Sequence, residues 1–420
     1  MNTFVKQLSA GIDGILPMAE GIYKDLHSNP ELSHQEFRTA GIVAAQLRAA
    51  GFQVTEKIGG TGVVGILENG EGPTVMMRAD MDALPIKEAT GLPYASTSQG
   101  LSAKGETVSV SHACGHDMHI TWLLASAKVL SEARETWRGR VVALFQPAEE
   151  NGEGSQAMLD DGLAERVPKP DVILGQHLMQ YRAGMVGFRA GQILTAGDSL
   201  QVRFFGKGGH GGMPHNAVDP VLMAAAAVLR LQSIVAREVS PQHVAVVTVG
   251  EFHAGIAENI IPAEALIKLN VRTTDPKVRE HVLAAIRRIC IAEAQASNAP
   301  RVPEFTDISN FPLTVNDADV TRQVAGAFRE QFGEQVMETP PVGASEDFGR
   351  YGKAWNVPYT YWFVGGSSHE KYDQAVQEGT VAQLPGPHSP FWAPALDPTL
   401  RTGIETSLAA MGTWLAKAPA

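Results

Sequence analysis

Four short apolar runs, each followed by His, Asp or Glu, constrain this chain more than any other feature. They are 74–78 (TVMMR), 140–146 (RVVALFQ), 171–175 (DVILG) and 359–364 (YTYWFV). Short apolar runs bounded by turn-forming residues read as buried strands. Helical patterns lie between them, notably 119–130. Strands alternating with helices predict an α/β domain with a mostly parallel sheet covered on both faces. Ligands bind such sheets at the carboxyl ends of the strands. Asp80 and Asp82 follow the first run and Glu149 and Glu150 the second. His177 follows the third, and His388 ends a long loop after the fourth. The string His112-Ala113-Cys114-Gly115-His116-Asp117-Met118-His119 directly precedes a helix. All these side chains can therefore share one rim. Upstream, Ser33 and Glu36 form a capping-box pattern ahead of an apolar stripe (Phe37, Ala40, Leu47) that Gly51 ends.

The middle of the chain follows another order. Residues 199–205 read as a strand, and Asp219-Pro220 opens a helix to about Arg237. Residues 243–252 and 265–272 are strands, and Asp275-Pro276 opens a second helix to about Ala296. Residues 304–308 are a last strand. The order β-α-β-β-α-β is the split ferredoxin-like arrangement. It predicts an α+β domain over 191–309, inserted into an α/β domain built from 1–190 and 310–420. Asp397-Pro398 opens a final helix that returns to the first domain.

Composition narrows the function classes. Lys plus Arg number 34 against 45 Asp plus Glu, a net charge of −11, which argues against a nucleic-acid binder. The N-terminus shows no signal-peptide pattern, and the longest apolar run, 221–229, is far short of the ~20 residues of a membrane span. The cysteines are Cys114 and Cys290 alone, which excludes a disulfide framework and a zinc ribbon and predicts a reducing, cytoplasmic location.

Taken singly, each cluster has an ordinary explanation. His177 or His388 can be structural, Glu149-Glu150 a solvated turn, and Asp80 and Asp82 loop caps. Together at strand ends they suit hydrolysis of an amide bond. That chemistry needs a nucleophilic water at neutral pH and a Lewis acid on the carbonyl oxygen, and two metals ~3.5–4 Å apart supply both. Such a pair needs a bridging anion, a role a thiolate can fill. One carboxylate must stay off the metals to carry a proton. Adjacent carboxylates at a strand end suit that division.

The strings RADMDALP, HACGHDMH, QPAEE, GQH, GKGGHGGMPH, SEDF and HSP occur in that order along nearly the whole chain. In this it resembles the aminoacylase and carboxypeptidase-G group of dinuclear metallohydrolases, and most closely its hippurate hydrolase and indole-acetyl amino-acid hydrolase branch. The resemblance implies hydrolysis of N-acyl or N-aroyl L-amino acids by metal-bound hydroxide. It implies two divalent ions per chain (Zn, Mn, Ni or Co). Cys114 would bridge them, His116 and His177 completing one site and Glu150 and His388 the other. Glu149 would be general base and then proton donor, and Asp82 would support the site. Asp80 stands where relatives outside this branch carry a histidine ligand, and is not counted as a ligand. The inserted domain resembles the family's lid. There His210 matches an oxyanion donor, which in some members comes from a partner subunit, and Asn259 and Arg272 match positions that can face substrate. Arg272 could clamp a carboxylate bidentately or form a surface ion pair.

Gly206-Lys207-Gly208-Gly209 lacks the spacing of a phosphate loop. Segment 365–387 looks longer than the usual family loop and lies just before His388, where it could reshape the acyl pocket. Two alternatives share the fold: a dipeptidase or aminopeptidase-like enzyme, and a catalytically silent binding protein. The partners expected are a small-molecule substrate and a second copy of the chain through the lid, with neither nucleic acid nor membrane.

Overall fold

The computed structural model describes residues 2–417 and divides them into two compact units. The first takes the chain up to Ile193, Val315–Pro340 and the chain from Asp347 onward. The second is Leu194–Thr314 with Pro341–Glu346. The borders differ from 190 and 310 for a local reason. Strand Glu304–Phe311 keeps pairing as far as Phe311, opposite Gly197. The excursion 341–346 was not visible in the sequence. It belongs to the second unit through Thr195 N–H donating to Ala344 O at 2.9 Å.

The first unit is built on an eight-stranded mixed sheet. Four central strands run parallel in the order Gly139–Gln146, Thr74–Asp80, Val172–Arg182, Tyr359–Ser367. Strand Thr74–Asp80 is buried at every position, which is why it reads as a continuous apolar run. The hairpin Gln53–Ile58 and Gly62–Asn69 adds antiparallel strands at one edge. Val186–Phe188 and Val336–Glu338 close the other. Alternate side chains of a strand face opposite ways. Val75, Met77 and Ala79 join the core formed with helices Thr3–Ser28, His116–Glu132 and Leu396–Leu415. Arg78, between them, instead meets Gln146 (3.0 Å), Asp80 (2.7 Å) and Asp347 (3.3 Å), all buried.

Two local expectations fail here. Ser33 and Glu36 are not a capping box. Helix Phe37–Ala49 starts after Glu36, which makes no side-chain cap bond. Ser33 Oγ donates to Asp82 (2.6 Å), and buried Glu36 accepts from Ala148 N (2.8 Å) and Thr61 Oγ1 (2.6 Å). Glu36 also accepts the local His34 N–H at 2.9 Å, so its carboxylate ties the start of the helix to two distant segments instead of closing a capping box. Segment 365–387 is not a plain loop either. Its strand continues to Ser367, and helix His369–Glu378 follows, with Ser368 as cap.

The second unit is a four-stranded antiparallel sheet, ordered Ala245–Ala254, Glu264–Thr273, Ala196–Phe205, Glu304–Phe311. Helices Pro220–Ser233 and Pro276–Ala296 cover it. Both Asp-Pro starts work as cap and first residue: Asp219 accepts from Val221 N (2.8 Å), and Asp275 from Lys277 N (2.8 Å) and Val278 N (3.0 Å). Val202, Phe204, Ile267, Leu269 and Val271 alternate along the strands to meet Met223, Ala227, Val282 and Ile286 of the helices. By length and composition, 220–238 is apolar enough to cross a membrane. In the structure Met223, Ala224, Ala227 and Leu231 of that segment are core residues packed with the strands. We read it as a core-covering helix.

Candidate metal centre and active site

Helix His116–Glu132 starts immediately beyond the carboxyl ends of the central strands. Its cap, Gly115, has φ +84°, and a Cβ there would lie 2.6 Å from Leu178 Cδ2. Only glycine fits without strain, so Cys114 and His116 are held in place by a turn that the packing demands. Cys114 Sγ lies 3.5 Å from His177 Nε2. Cys114, His116 and His177 place their donor atoms within 4.8 Å of one another, as do Cys114, Glu150 and His388. Cys114 belongs to both groups. Glu149 forms a third cluster with His116 and Glu150, its Oε2 3.9 Å from His116 Nε2. His388 has φ +70° and donates its N–H to Ala113 O at 2.7 Å, which ties its loop to the Cys114 turn. Its Nε2 lies 3.3 Å from Glu150 Oε2.

A layer of carboxylates holds this cluster. Asp82 is fully buried and accepts from Glu149 N and Glu150 N, each at 3.1 Å, and from Ser33. Glu36 fixes Ala148, the residue before Glu149, and Ala148 has φ +48°. Asp80 accepts the Nδ1–H of His119 at 2.6 Å, and His119 Nε2 then accepts from Leu178 N at 2.8 Å. Both ring nitrogens of His119 are thereby used. Although it lies near Asp80 and His116, it has no lone pair left for a metal, and we assign it to the supporting layer. Glu36 and His119 were missed from the sequence. The signal for Glu36 was present but pointed to a helix cap, and His119 lies in the same string as His116.

The donor set fits divalent cations. Among the described residues, Nε2 of buried His116 and Oε1 of Glu150 have no hydrogen-bond partner, while His116 Nδ1 faces Asp82 Oδ1 at 3.4 Å. An unmet need of this kind, at a buried polar centre, is what a bound ion would satisfy. His177 donates Nδ1–H to Leu178 O at 2.6 Å, so its Nε2 carries the lone pair that faces Cys114. Burial and the neighbouring His119 push its pKa down, leaving the neutral form a ligand needs. Burial, and then the charges of Glu150 and Glu149, raise the Cys114 thiol well above its ordinary value. A bound cation would reverse that balance and favour the thiolate. Burial opposes charge on His116, yet Asp80, Asp82 and Glu150 outweigh it and raise its pKa to about 10. The pocket is thus rich in negative charge.

His210, Asn259 and Arg272 belong to the second unit. His210 and Asn259 line one pocket there, of about 870 Å³. His210 is paired opposite Ile260, and Asn259 O accepts Gly211 N–H at 2.8 Å. Arg272 lies on strand Glu264–Thr273 and does not line that pocket. Its guanidinium donates to Asn270 Oδ1 (3.0 Å) and to the Ser345 hydroxyl. Both partners are neutral, so the surface ion pair is not what is found.

A family model described as peptidase family M20/M25/M40 matches residues 76–384. The chain belongs to this family. A hippurate hydrolase of Campylobacter jejuni is 39% identical over 81% of this chain and 87% of its own length. An N-acetyl-L-cysteine deacetylase of Bacillus subtilis is 36% identical over 82% and 79% respectively. Among solved structures, a Bacillus subtilis protein described as a dinuclear metal-binding peptidase of the M20 family superposes with a TM-score of 0.73. It is 26% identical, over 95% of this chain and 98% of that one. The M20 assignment agrees with the resemblance carried by the motifs.

Proposed function

We propose that this M20 chain hydrolyses N-acyl or N-aroyl L-amino acids to a carboxylic acid and a free amino acid, with Glu149 as the proton-transfer group. The observation that carries this is the placement of Glu149 beside the Cys114, His116, Glu150, His177 and His388 cluster, on a backbone gripped by Asp82. Cys114, His116 and His177 would hold one cation and Cys114, Glu150 and His388 the other, with the Cys114 thiolate serving both. Bound divalent cations would supply Lewis acidity and lower the pKa of water from ~15.7 to ~7. Sulfur, nitrogen and carboxylate donors together suit zinc, nickel or cobalt and admit manganese.

Glu149 accepts a proton from the attacking water and returns it to the leaving nitrogen, a transfer typically worth ~10²–10⁴-fold in rate. Asp82 keeps Glu149 and Glu150 in register, so that one carboxylate ligates while its neighbour faces the water. His210 is the oxyanion donor and Asn259 a substrate contact. Arg272, whose partners are neutral, is the clamp for the amino-acid carboxylate. The names of the relatives, for hippurate and for N-acetyl-L-cysteine, support an N-acylated amino acid as substrate class. Exposed Leu222 and Leu229 on helix Pro220–Ser233 support self-association through the second unit, and two buried free cysteines support a reducing, cytoplasmic setting.

The test is a panel of N-acyl amino acids and dipeptides, assayed after metal restoration with and without chelator. Chelator-sensitive release of amino acid from the N-acyl set is expected. Turnover of dipeptides alone would favour the peptidase alternative, and no turnover at all would refute the proposal.

A further inference from the structure

Where Glu149 points is set by the turn that carries it, and that turn has an uncommon backbone. It joins strand Gly139–Gln146 to helix Gly154–Asp160. Ala148, wholly buried within it, has φ +48°, a left-handed conformation that residues with a Cβ seldom adopt. A residue keeps such a conformation only where its surroundings over-determine it.

Buried carboxylates from three remote segments grip this turn by its backbone N–H groups. Glu36 Oε1 accepts from Ala148 at 2.8 Å, Asp82 accepts from Glu149 and Glu150, and Asp347 Oδ2 accepts from Ser155 at 2.9 Å. Inside the turn, Glu149 O accepts from Gly152 N (2.8 Å) and Ala148 O from Gly154 N (2.9 Å). Gly154 packs so closely on Pro147 that a Cβ there would lie 1.6 Å from Pro147 O. Of the three acids, Glu36 is the one bound to the left-handed residue itself.

Glu36 is also fixed at its own end. Its Oε1 accepts the His34 N–H at 2.9 Å, and its Oε2 accepts the Thr61 hydroxyl at 2.6 Å. Burial, and then the charge of Asp82, raise its pKa to about 7, so a neutral side chain is readily accommodated here. What Ala148 needs from it is an acceptor at the right reach more than a charge.

We propose that Glu36 is a positioning residue for the reaction: by holding Ala148 left-handed through its N–H, it aims the Glu149 carboxylate. This rests on the assignment of proton transfer to Glu149 above. Asp82 grips Glu149 and Glu150 together, whereas Glu36 acts one residue upstream of the proton carrier. Its loss should therefore slow the chemical step and leave the metals in place.

The experiment separates reach from charge in the full-length protein. Glu36→Asp withdraws the acceptor by one methylene group, while Glu36→Gln keeps its reach and removes its charge. Ala148→Gly removes the need for the grip, because glycine adopts positive φ freely. Glu36→Asp should lower kcat for N-benzoylglycine about 10–100-fold with KM and zinc per chain unchanged, the pattern of a lost orienting partner. Glu36→Gln should stay close to wild type, and the double variant Glu36→Asp/Ala148→Gly should recover most of the lost kcat. In metal-free protein, hydrogen-exchange mass spectrometry over 147–155 should show faster exchange in Glu36→Asp and wild-type exchange in Glu36→Gln. The proposal is overturned if Glu36→Asp is as fast as wild type, if Glu36→Gln is as slow as Glu36→Asp, or if Ala148→Gly brings no recovery. Loss of zinc together with activity would also overturn it, reducing Glu36 to a support of the fold. If the wild type releases no amino acid from N-benzoylglycine or any other N-acyl amino acid, the reaction reading falls, and the exchange pattern still decides whether Glu36 holds the turn.

Discussion

One carboxylate oxygen of Asp82 accepts the backbone N–H of Glu149 at 3.1 Å, while its other oxygen accepts that of Glu150 at the same distance. A single buried side chain thus sets the angle between Glu149 and Glu150, the proposed proton carrier and the proposed metal ligand. Asp82→Asn would turn an N–H donor toward one of these backbone donors. Activity should fall about 10–100-fold, the usual effect of losing an orienting partner. The same variant assayed for metal by elemental analysis should retain most of its cations; complete metal loss would make Asp82 a ligand instead.

Glu149→Gln should keep the fold and both metals but lose ~10²–10⁴-fold in kcat, because the amide cannot accept the proton. Steady-state kinetics alongside metal analysis checks this. Activity within a few-fold of wild type would remove Glu149 from its role.

Cys114 is common to two donor clusters. Cys114→Ala should therefore reduce metal content at both positions rather than one, read as metal per chain after equilibration in limiting zinc. Two ions still bound per chain would contradict a bridging thiolate.

Arg272→Ala should raise KM for N-acyl amino acids about ten-fold or more, since a charge-assisted pair is worth ~1.5–3 kcal/mol. It should have little effect on the corresponding amino-acid amides, which lack the carboxylate. Equal effects on both substrate types would mean that Arg272 serves only to hold Asn270 and Ser345.

His27, on helix Thr3–Ser28, predicts a pH dependence of stability. Its Nδ1 lies 2.6 Å from Asp117 Oδ2 and its Nε2 3.1 Å from Glu88 Oε1. Burial disfavours its charge, but these two carboxylates prevail and raise its pKa to about 10. The unfolded value is ~6.5. The protonated ring therefore stabilises the fold fully below ~pH 6.5, and the contribution is lost as pH rises through about 10. His27→Gln should cost about 3 kcal/mol near neutral pH, as for other broken buried pairs. Denaturant titrations of metal-free protein should show the gap to wild type narrowing toward pH ~10. A gap that does not change with pH would mean that the ring acts by packing alone.

The legible parts of this protein were those that neighbouring residues decide. Asp219-Pro220 and Asp275-Pro276 mark helix starts because cap and first turn are local geometry. The four central strands are legible because burial on both faces forces continuous apolar runs. The edge strand Gln53–Ile58 was not read from the sequence, since it is largely exposed or half-buried and carries a weak pattern. The motif strings were enough to suggest the family and the ligand set.

Tertiary structure decided the rest. Ser33 and Glu36 fit a capping box in sequence, but in the fold their oxygens meet Asp82, Thr61 and Ala148, partners that no local pattern can display. His116 and His119 look equivalent in one string, yet Asp80 and the Leu178 N–H use up both ring nitrogens of His119, whereas Nε2 of His116 is left without a hydrogen bond. The sequence by itself determined which chemical groups were present and which strands would carry them to a rim. Which group holds a metal, moves a proton or supports its neighbour was decided only by contacts between residues far apart in the chain. Hydrogen bonds act over ~3 Å in space and are indifferent to separation along the sequence.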